Sequence, residues 1–405
     1  MPALVLSTLL VAAGACADVS SVGSSGPTFT DSAGVRIVGY DGMPEPVRTV
    51  ALSEEPLFRH GHRDGDYPFQ AIVQGALDGD GRAVVFDRGS QELVRVSTDG
   101  AIDTVLARSG QGPEEVTQVI SVVPLDDRVI LVQDRANGKI MRLEEGRLPE
   151  SHSTMTVPEI GRRMRLVGID DGGSPLLITS AFNTGFEEPW LQGHMARLDL
   201  AAMEADTVAT YDLARRRPRS GPTNPFGHFG RAAVSGPSFV SARSDIPELT
   251  WRDPDGTVRQ ILRWAPEPRY PDEADWREFT EGFTENMRRI NPQMSQDEAR
   301  QFAERQLERF ELRTDEPYPL FADLRGDDQG RVWMGVFHHG GMMGVPAYDL
   351  IASDGTWLGR LELPSGFRVL DVRDRRVLGV LPDELEVESV AVYELVMEPR
   401  DTAEP

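Results

Sequence analysis

Five of the seven histidines in this 405-residue sequence lie in segments rich in glycine and proline. They are His60 and His62 in RHGHRDGDYPF (59–69), His228 in NPFGHFG (224–230), and His338 and His339 in VFHHGGMMG (336–344). Imidazole and carboxylate groups are the usual protein ligands of Zn²⁺ and other transition metals. None of the five has a recognised ligand spacing such as H-E-x-x-H. Two interpretations stay open: a divalent metal site, holding Zn²⁺ or Ca²⁺, or loop histidines that are solvated or bonded to the backbone.

Charged side chains in the same kind of segment form a second set of candidates. Asp64 and Asp66 accompany the first histidine pair. The candidates for a ligand-binding face are Asp87, Arg88, Arg108, Glu114, Asp134 and Arg135. Arg88 and Arg135 follow aspartates at equivalent positions of two similar segments, FDRGS (86–90) and QDRANG (133–138). We expect these arginines first to pair with neighbouring acids and second to bind an anionic ligand, because guanidinium groups recognise carboxylates and phosphates through paired hydrogen bonds.

The segment ARSGQGPEEVTQV (107–119) has the glycines of a phosphate-binding loop. Such a loop ends at a helix N-terminus, where the backbone amides and the helix dipole face the anion. Here the glycines lead into VTQVISVV, a β-branched run, and no G-K-[ST] follows. The glycines therefore serve the backbone geometry of a tight connection. The sequence predicts a turn between two strands.

Short β-branched runs alternate with Gly/Asp turns from about residue 70 onward, and this order repeats. The clearest unit, residues 71–107, reads AIVQGAL, DGDG, RAVVFD, RGSQ, ELVRVS, TDG and AIDTVLA. Its four strands form an antiparallel meander with turn residues where tight hairpins need them. Further copies lie at 117–148, 166–200, 231–264, 319–363 and 367–397. Four-stranded units of about 40 residues predict an all-β fold, a six-bladed β-propeller. The sixth copy is one strand short, and we expect GVRIVGY (34–40) to complete it.

The meander also predicts which connections share a face. The connections between blades emerge on the same side as the loops between the second and third strands of each blade. We call this side the loop-rich face, and it carries the candidate residues above. The tight hairpins lie on the opposite side, the hairpin face.

Residues 271–313, between blades four and five, carry the helical part of the pattern. Apolar residues recur every three or four positions, at Trp276, Phe279, Phe283, Met287 and Ile290 and again at Ala299, Ala303, Leu307 and Phe310. Ser295 and Glu298 have the spacing of a capping box at the start of the second stretch. The pattern predicts a helical hairpin inserted at a loop position. Its role is either to pack on the propeller or to form a lid or a docking surface.

The stretch GDGRAVVFDRGSQELVRVSTDG (79–100) and the later ARSGQGPEEVTQV resemble the NHL-type and TolB-like six-bladed propellers. The likeness is closest to exported bacterial members with G-x-G-P-x-E before a strand, and DSAGVRIVGY (31–40) resembles their N-terminal segment. It covers residues 31–397. The resemblance implies the fold and an exported location. It implies no catalytic residues, because no activity is established for many such proteins.

The N-terminal segment predicts export. Cys16, the one cysteine, ends the apolar run LVLSTLLVAAGAC (4–16), and AGAC resembles the lipobox of bacterial lipoproteins. The alternative is a signal peptide cut after Ala17, which gives a soluble periplasmic protein. The expected organisation is a signal peptide with lipobox (1–16), a flexible tether (17–32), the propeller (33–397) and a disordered C-terminal tail (398–405). As a lipoprotein, the protein faces the periplasm or the cell surface and contacts the membrane through its lipid alone.

Composition and motifs favour a binding protein over an enzyme. The formal net charge of −23 disfavours nucleic acid as a partner, because an acidic surface repels phosphates. The leading hypothesis is a non-enzymatic cell-envelope propeller that recognises a protein, peptide or glycan on its loop-rich face, with no cofactor. The alternative is a metal-dependent hydrolase or lyase of the gluconolactonase-like type, which needs carboxylate and amide ligands on the innermost strands. First strands such as AIVQGAL and VISVVPL are largely apolar and show no matching set.

Overall fold

The computed structural model describes residues 26–61, 67–144, 150–153, 164–179, 190–215, 223–290, 295–338, 344–385 and 387–400. In these residues the chain folds into a β-propeller of six four-stranded antiparallel blades, as predicted. Several candidates lie outside the described residues, namely Cys16, His62, Asp64, Asp66 and His339.

Four strands precede the first blade: β1 (Thr28–Ser32), β2 (Val35–Gly39), β3 (Arg48–Leu52) and β4 (Phe58–His60). Blade one contains β5 (Ile72–Leu77), β6 (Ala83–Asp87), β7 (Glu92–Val96) and β8 (Ile102–Ser109), with the short β9 (Glu115–Val116) beside β8. Blade two contains β10 (Val119–Pro124), β11 (Val129–Asp134), β12 (Lys139–Glu144) and β13 (Glu150–Ser153). Blade three contains β14 (Met164–Ile169), β15 (Pro175–Thr179), β16 (Trp190–Asp199) and β17 (Glu204–Arg215).

Blade four contains β18 (Gly230–Ser235), β19 (Ser238–Arg243), β20 (Glu248–Arg252) and β21 (Val258–Arg263). The helices α1 (Glu273–Ile290) and α2 (Gln296–Leu307) follow. Blade five contains β22 (Asp323–Gly326), β23 (Val332–Gly335), β24 (Ala347–Ile351) and β25 (Trp357–Glu362). Blade six contains β26 (Arg368–Arg373), β27 (Arg376–Pro382) and β28 (Glu388–Pro399).

Aspartates close the hairpins between the first and second strands of three blades. Asp78, Asp170 and Asp327 each accept hydrogen bonds through Oδ1 from the amides two and four residues further along the chain. In blades one and five the residue four positions later is an arginine, Arg82 or Arg331, whose Nε donates to Oδ2 of the same aspartate at 2.7 and 2.5 Å. Local hydrogen bonds therefore fix these turns, and for this reason the repeat can be recognised in the sequence.

The hydrophobic core lies between the blades. Among the described residues, six apolar clusters each combine side chains of two neighbouring blades, from the pair one and two around to the pair six and one. Trp251 of blade four and Trp333 of blade five are fully buried in two of them. Because every blade buries both of its faces against a neighbour, the ring as a whole stabilises each sheet.

The closure of the ring corrects the expectation for GVRIVGY. Two strands, β3 and β4, complete the outer edge of blade six, and both pair with β28. The pairing of β3 runs from Arg48 opposite Pro399 to Leu52 opposite Leu395. GVRIVGY forms β2 instead, which pairs in parallel with β21 and so extends blade four. The reason is packing: Val38 is completely buried in the cluster that contains Trp264 and Trp357.

The ends of the propeller also lie further out than the expected boundaries. Residues 28–32, placed in the tether by the sequence, form β1 and pair with β2. Ala33 and Gly34, at φ 54° and 84°, provide the left-handed turn that a two-residue hairpin needs. At the other end β28 continues to Pro399, inside the expected tail.

The helical hairpin has the predicted form. Ser295 caps α2 in a capping box with Glu298. Phe279, Phe283, Met287 and Ala303 are buried in one cluster with Phe226, from the loop before β18. The apolar stripes therefore pack against loops of the rim, including the connection between blades three and four. Within the described residues, no helix has the length and apolar character needed to cross a membrane.

Candidate functional site

The first strands of all six blades surround a central channel. It contains a cavity of about 540 Å³ lined by residues from 73–75, 121–125, 165–171, 232–234, 323–328 and 368–373. The first strands run from the loop-rich face toward the hairpin face. The backbone confirms this assignment, because the Arg88 amide after β6 donates to the Ala71 carbonyl, and the Arg135 amide after β11 donates to the Gln118 carbonyl. In both cases the loop after the second strand meets the connection between blades.

Four consecutive blades place an arginine near the beginning of the first strand. They are Arg165 in β14, Arg231 in β18, Arg325 in β22 and Arg368 in β26. Each is the first, second or third residue of its strand, so all four lie toward the loop-rich end of the channel. This finding corrects the expectation of largely apolar first strands, which rested on blades one and two.

Asp323 is the carboxylate that compensates part of this charge on blade five. Its Oδ2 accepts hydrogen bonds from Arg325 Nε at 2.6 Å and from the Tyr348 hydroxyl at 3.1 Å. Burial acts to raise the pKa of Asp323, but Arg325, then the Tyr348 hydroxyl and Arg231, hold it below its ordinary value. Burial likewise opposes the charge of Arg325, whose pKa is nevertheless raised by Asp323. The two groups are therefore an ionised pair.

Glu388, the first residue of β28, is the carboxylate that compensates part of the positive charge on blade six. Its Oε1 lies 3.6 Å from Arg368 Nη2, and its Oε2 accepts the Ile72 amide at 2.5 Å. Burial lowers the pKa of Arg368, and Glu388 opposes this change. The nearby positive charges of Arg325 and Arg88 lower the pKa of Arg368 further. Arg88, from the loop after β6, is therefore close enough for its charge to act on Arg368, although it is not among the described residues that line the cavity.

Arg165 and Arg88 have no ion pair of this kind among the described residues. Neither guanidinium has a hydrogen bond or an ion pair within the described part of the chain, and both residues are exposed, Arg165 into the channel. Burial, followed by the charge of Arg325, lowers the pKa of Arg165, and the charge of Asp323 opposes this change. A guanidinium that faces like charges gains from an added anion, because the anion offsets their repulsion.

We call Arg88, Arg165, Arg231, Arg325 and Arg368 the arginine cluster. Asp323 and Glu388 are the two carboxylates paired within it. The cluster is thus positive in a protein whose formal net charge is −23. Its chemistry suits carboxylate or phosphate groups, which accept paired hydrogen bonds from guanidinium.

The other ligand-face candidates have different surroundings. Asp87 and Asp134 are completely or almost completely buried. The Asp87 carboxylate accepts amides of residues 70, 71, 89 and 90, and the Asp134 carboxylate those of residues 117, 118, 136 and 137. Both carboxylates therefore hold the connection between blades against the loop after the second strand. Arg108 is exposed and donates to Glu92, Glu114 is exposed, and Arg135 is half-buried.

Three of the five loop histidines lie in the described residues, and each has a different partner. His60 Nδ1 donates to the Gly100 carbonyl at 2.6 Å, and His228 Nε2 donates to the Pro317 carbonyl at 3.0 Å. His338 Nε2 lies 3.8 Å from the Glu278 carboxylate. In the described ranges, no three His, Cys, Asp or Glu side chains are grouped in a way that could hold a metal ion. A metal site formed by all five loop histidines stays a prediction, since it includes His62 and His339.

The glycine segment after β8 is a turn, and its geometry suits a cation. The ammonium group of Lys139 donates to the carbonyls of Gly112 at 2.6 Å, Glu115 at 2.5 Å and Pro113 at 3.3 Å. The Glu115 carboxylate accepts the Gly112 amide at 2.8 Å. Carbonyl oxygens, rather than amides, converge at this turn, so it has the opposite polarity to a phosphate-binding loop.

The arginine cluster escaped the sequence analysis, although a signal was present. The segments MRL (164–166), GRA (230–232), LRG (324–326) and FRV (367–369) each place an arginine close to the start of a first strand. Aligning the repeats on their first strands, rather than on their turns, would have revealed the common position.

Comparisons with known proteins identify no family. No protein-family model matches the chain, and no curated protein matches it. Solved structures match in fold only. A candidate exported protein from Bacteroides fragilis is 10% identical with a TM-score of 0.48, over 89% of this chain and 99% of its own. A member of the DUF4221 family from Bacteroides vulgatus is 10% identical with a TM-score of 0.49, over 88% and 100%. Regucalcin from Agrobacterium tumefaciens is 11% identical with a TM-score of 0.39, over 86% and 97%.

Proposed function

We propose that this protein is a non-enzymatic binding protein of the cell envelope that takes an anionic ligand into the loop-rich end of its channel. The observation that carries the proposal is the guanidinium of Arg165, which lines the cavity near the positive charges of Arg325 and Arg231 and has no hydrogen bond or ion pair among the described residues. Like charges held together destabilise a fold, so their retention in a channel indicates a ligand that neutralises them. The N-terminal run ending at Cys16 supports export and lipid anchoring.

The ligand is a small acid, or the acidic part of a peptide or glycan. A cavity of about 540 Å³ has the size of an ordinary small-molecule site. Carboxylate and phosphate groups both match the fork of a guanidinium. A divalent cation is disfavoured at this end of the channel, because the surrounding guanidinium groups repel it. The alternative of a metal-dependent hydrolase or lyase therefore draws no support from the arginine cluster.

The test is calorimetric titration and thermal unfolding of the full chain with inorganic phosphate, citrate and D-galacturonate, with D-galactose as the neutral control. All solutions have the same ionic strength, because salt at about 0.1 M largely screens the interaction between exposed charges that are more than about 10 Å apart. A ligand at a hundred times its dissociation constant stabilises the fold by about 2.7 kcal/mol. We expect at least one anion to do this and D-galactose to have no effect.

The variant Arg165→Gln and its control Arg128→Gln locate the site. Arg128 is an exposed arginine in the turn between β10 and β11, on the hairpin face. We expect Arg165→Gln to weaken anion binding by about 10- to 100-fold, because a hydrogen bond to a charged group contributes about 1.5–3 kcal/mol. The same variant should unfold at an equal or higher temperature, since it removes a repulsive charge. Equal binding by the two variants, or no anion effect beyond that of D-galactose, would refute the proposal.

A further inference from the structure

Asp323 has one carboxylate oxygen that the described part of the protein does not use. Its Oδ2 accepts hydrogen bonds from Arg325 Nε at 2.6 Å and from the Tyr348 hydroxyl at 3.1 Å. Its Oδ1 accepts none from the described residues. Asp323 lines the channel cavity, and 25% of its side chain is exposed. An ionised carboxylate oxygen is therefore open to a ligand at the loop-rich end of the channel.

This carboxylate lies beside the guanidinium groups that we propose to bind the anion. Arg325 contacts Asp323 directly through Nε, and both residues line the same cavity. Arg165 lines the cavity from blade three, and among the charged groups around it Arg325 and then Asp323 have the largest effects on its pKa. An acid group bound by Arg165 and Arg325 is therefore separated from the Asp323 carboxylate by a single guanidinium.

Asp323 consequently sets a requirement on the ligand beyond its negative charge. Water donates to such an oxygen when the channel holds no ligand. An acid bound by Arg165 and Arg325 displaces water from this region, and an acid without a second polar group leaves the carboxylate oxygen unsatisfied. An acid with a hydrogen-bond donor beside its acid group replaces the lost bond. A site built in this way discriminates against the analogue that lacks the donor.

The charges around Asp323 favour a neutral donor over an ammonium group. Asp323 contributes one negative charge, whereas Arg165, Arg231 and Arg325 contribute three positive charges nearby. These guanidinium groups repel an ammonium group, and a hydroxyl donates without this repulsion. We propose that the ligand of this channel is a hydroxy acid, with its acid group bound by Arg165 and Arg325 and its adjacent hydroxyl donating to Asp323 Oδ1. This inference rests on the proposed function, since it specifies the ligand of the same site.

The experiment compares four acids that differ in one group: hexanoate, 2-hydroxyhexanoate, 2-aminohexanoate and 6-hydroxyhexanoate. Calorimetric titration measures their binding to the full chain at constant ionic strength. We expect 2-hydroxyhexanoate to bind at least about tenfold more tightly than hexanoate, because it alone satisfies the carboxylate without repulsion. 2-Aminohexanoate should bind more weakly than 2-hydroxyhexanoate. In 6-hydroxyhexanoate the hydroxyl is far from the acid group, so this acid controls for polarity and should bind within about twofold of hexanoate.

Asp323→Asn tests the same contact on the protein, with Asp171→Asn as the matched control. Asp171 is an exposed carboxylate that lines the hairpin end of the cavity. In Asp323→Asn the amide oxygen faces the donors Arg325 and Tyr348, so the amide nitrogen replaces Oδ1. We expect the preference for 2-hydroxyhexanoate to fall to within about twofold, because the acceptor is gone. Hexanoate should bind as tightly as before or more tightly, since Arg325 loses its counter-charge, and this result also shows that the variant is folded.

The outcomes separate this inference from the proposed function. If hexanoate and 2-hydroxyhexanoate bind equally well and both depend on Arg165, the hydroxy acid is refuted and the anion site stands. Tightest binding of 2-aminohexanoate, or a preference that survives in Asp323→Asn, refutes it as well. If no acid binds, or if Arg165→Gln and its control Arg128→Gln bind equally well, both proposals fail. The comparison of the four acids decides the question by itself if Asp323→Asn does not fold.

Discussion

Replacing Asp327 by asparagine tests how far the hairpin aspartates stabilise the blades. Asp327 Oδ2 accepts hydrogen bonds from Arg331 Nε at 2.5 Å and from the Trp333 indole at 2.9 Å. Both side chains of the ion pair are buried, with exposures of 8% for Arg331 and 0% for Asp327. Within the described residues, no other carboxylate pairs with Arg331. An asparagine amide at Oδ2 would place a donor against two donors and leave the buried guanidinium without a counter-charge.

The expected loss is large, and blade one supplies the comparison. Removing one partner of a buried ion pair costs about 3–5 kcal/mol, and we expect this loss for Asp327→Asn. In the equivalent turn of blade one, Arg82 is 18% exposed and has a second partner, Asp80, at 2.9 Å. Asp78→Asn therefore leaves Arg82 paired and partly hydrated, and we expect a loss of about 1–2 kcal/mol. The difference between the two variants should be about 2 kcal/mol or more.

Urea unfolding followed by tryptophan fluorescence measures both losses. A change in the midpoint with an unchanged slope reports a change in stability. The double variant Asp327→Leu with Arg331→Met removes both charges and should recover part of the loss, because replacing a buried pair by apolar groups is often neutral. If Asp327→Asn lies within about 1 kcal/mol of Asp78→Asn, burial does not set the strength of these pairs and the reasoning is wrong.

Three further predictions concern other contacts. Lys139→Met should lower the free energy of unfolding by about 2 kcal/mol in urea, because three carbonyls lose an ammonium donor, and an unchanged midpoint would contradict this. Phe226→Ala removes ring contacts to the helical hairpin, at a loss of about 3–5 kcal/mol, and should speed proteolysis within 271–313 while the circular dichroism of the blades is kept. Burial, then the hydrogen bond to Glu92, raises the pKa of Tyr67 to about 12. The stabilisation that this raised pKa of Tyr67 provides is therefore complete below pH 10 and is lost as the pH rises through 12. In a pH titration followed by absorbance at 295 nm, the variant Tyr67→Phe should lack one late-ionising phenol.

The blades could be predicted because their turns are encoded locally. An aspartate such as Asp78 or Asp327 bonds amides two and four residues away, so turn and sequence coincide. The capping box of Ser295 and Glu298 is equally local, and the apolar stripes after it follow helical spacing. Repetition of these signals was sufficient to count six blades and to place the helical hairpin.

The closure and the site could not be predicted in the same way, because both depend on contacts distant in sequence. GVRIVGY and the segment that contains β3 are both short β-branched strands, and only the burial of Val38 beside Trp264 decides which blade each extends. Similarly, one arginine at the start of a strand is unremarkable by itself. Arg165 and Arg368 become a site only when the ring brings their strands to one axis.

Lys139 provides a way to measure local opening of the protein between blades one and two. It is the one lysine in the sequence, its side chain is largely buried, and its amine is held by three carbonyls of the turn at 112–115. Amine-reactive reagents that label most proteins at many lysines therefore have a single ε-amine target here. Their rate of acylation at that position would measure how often the connection between blades one and two separates from β12, with no engineered probe.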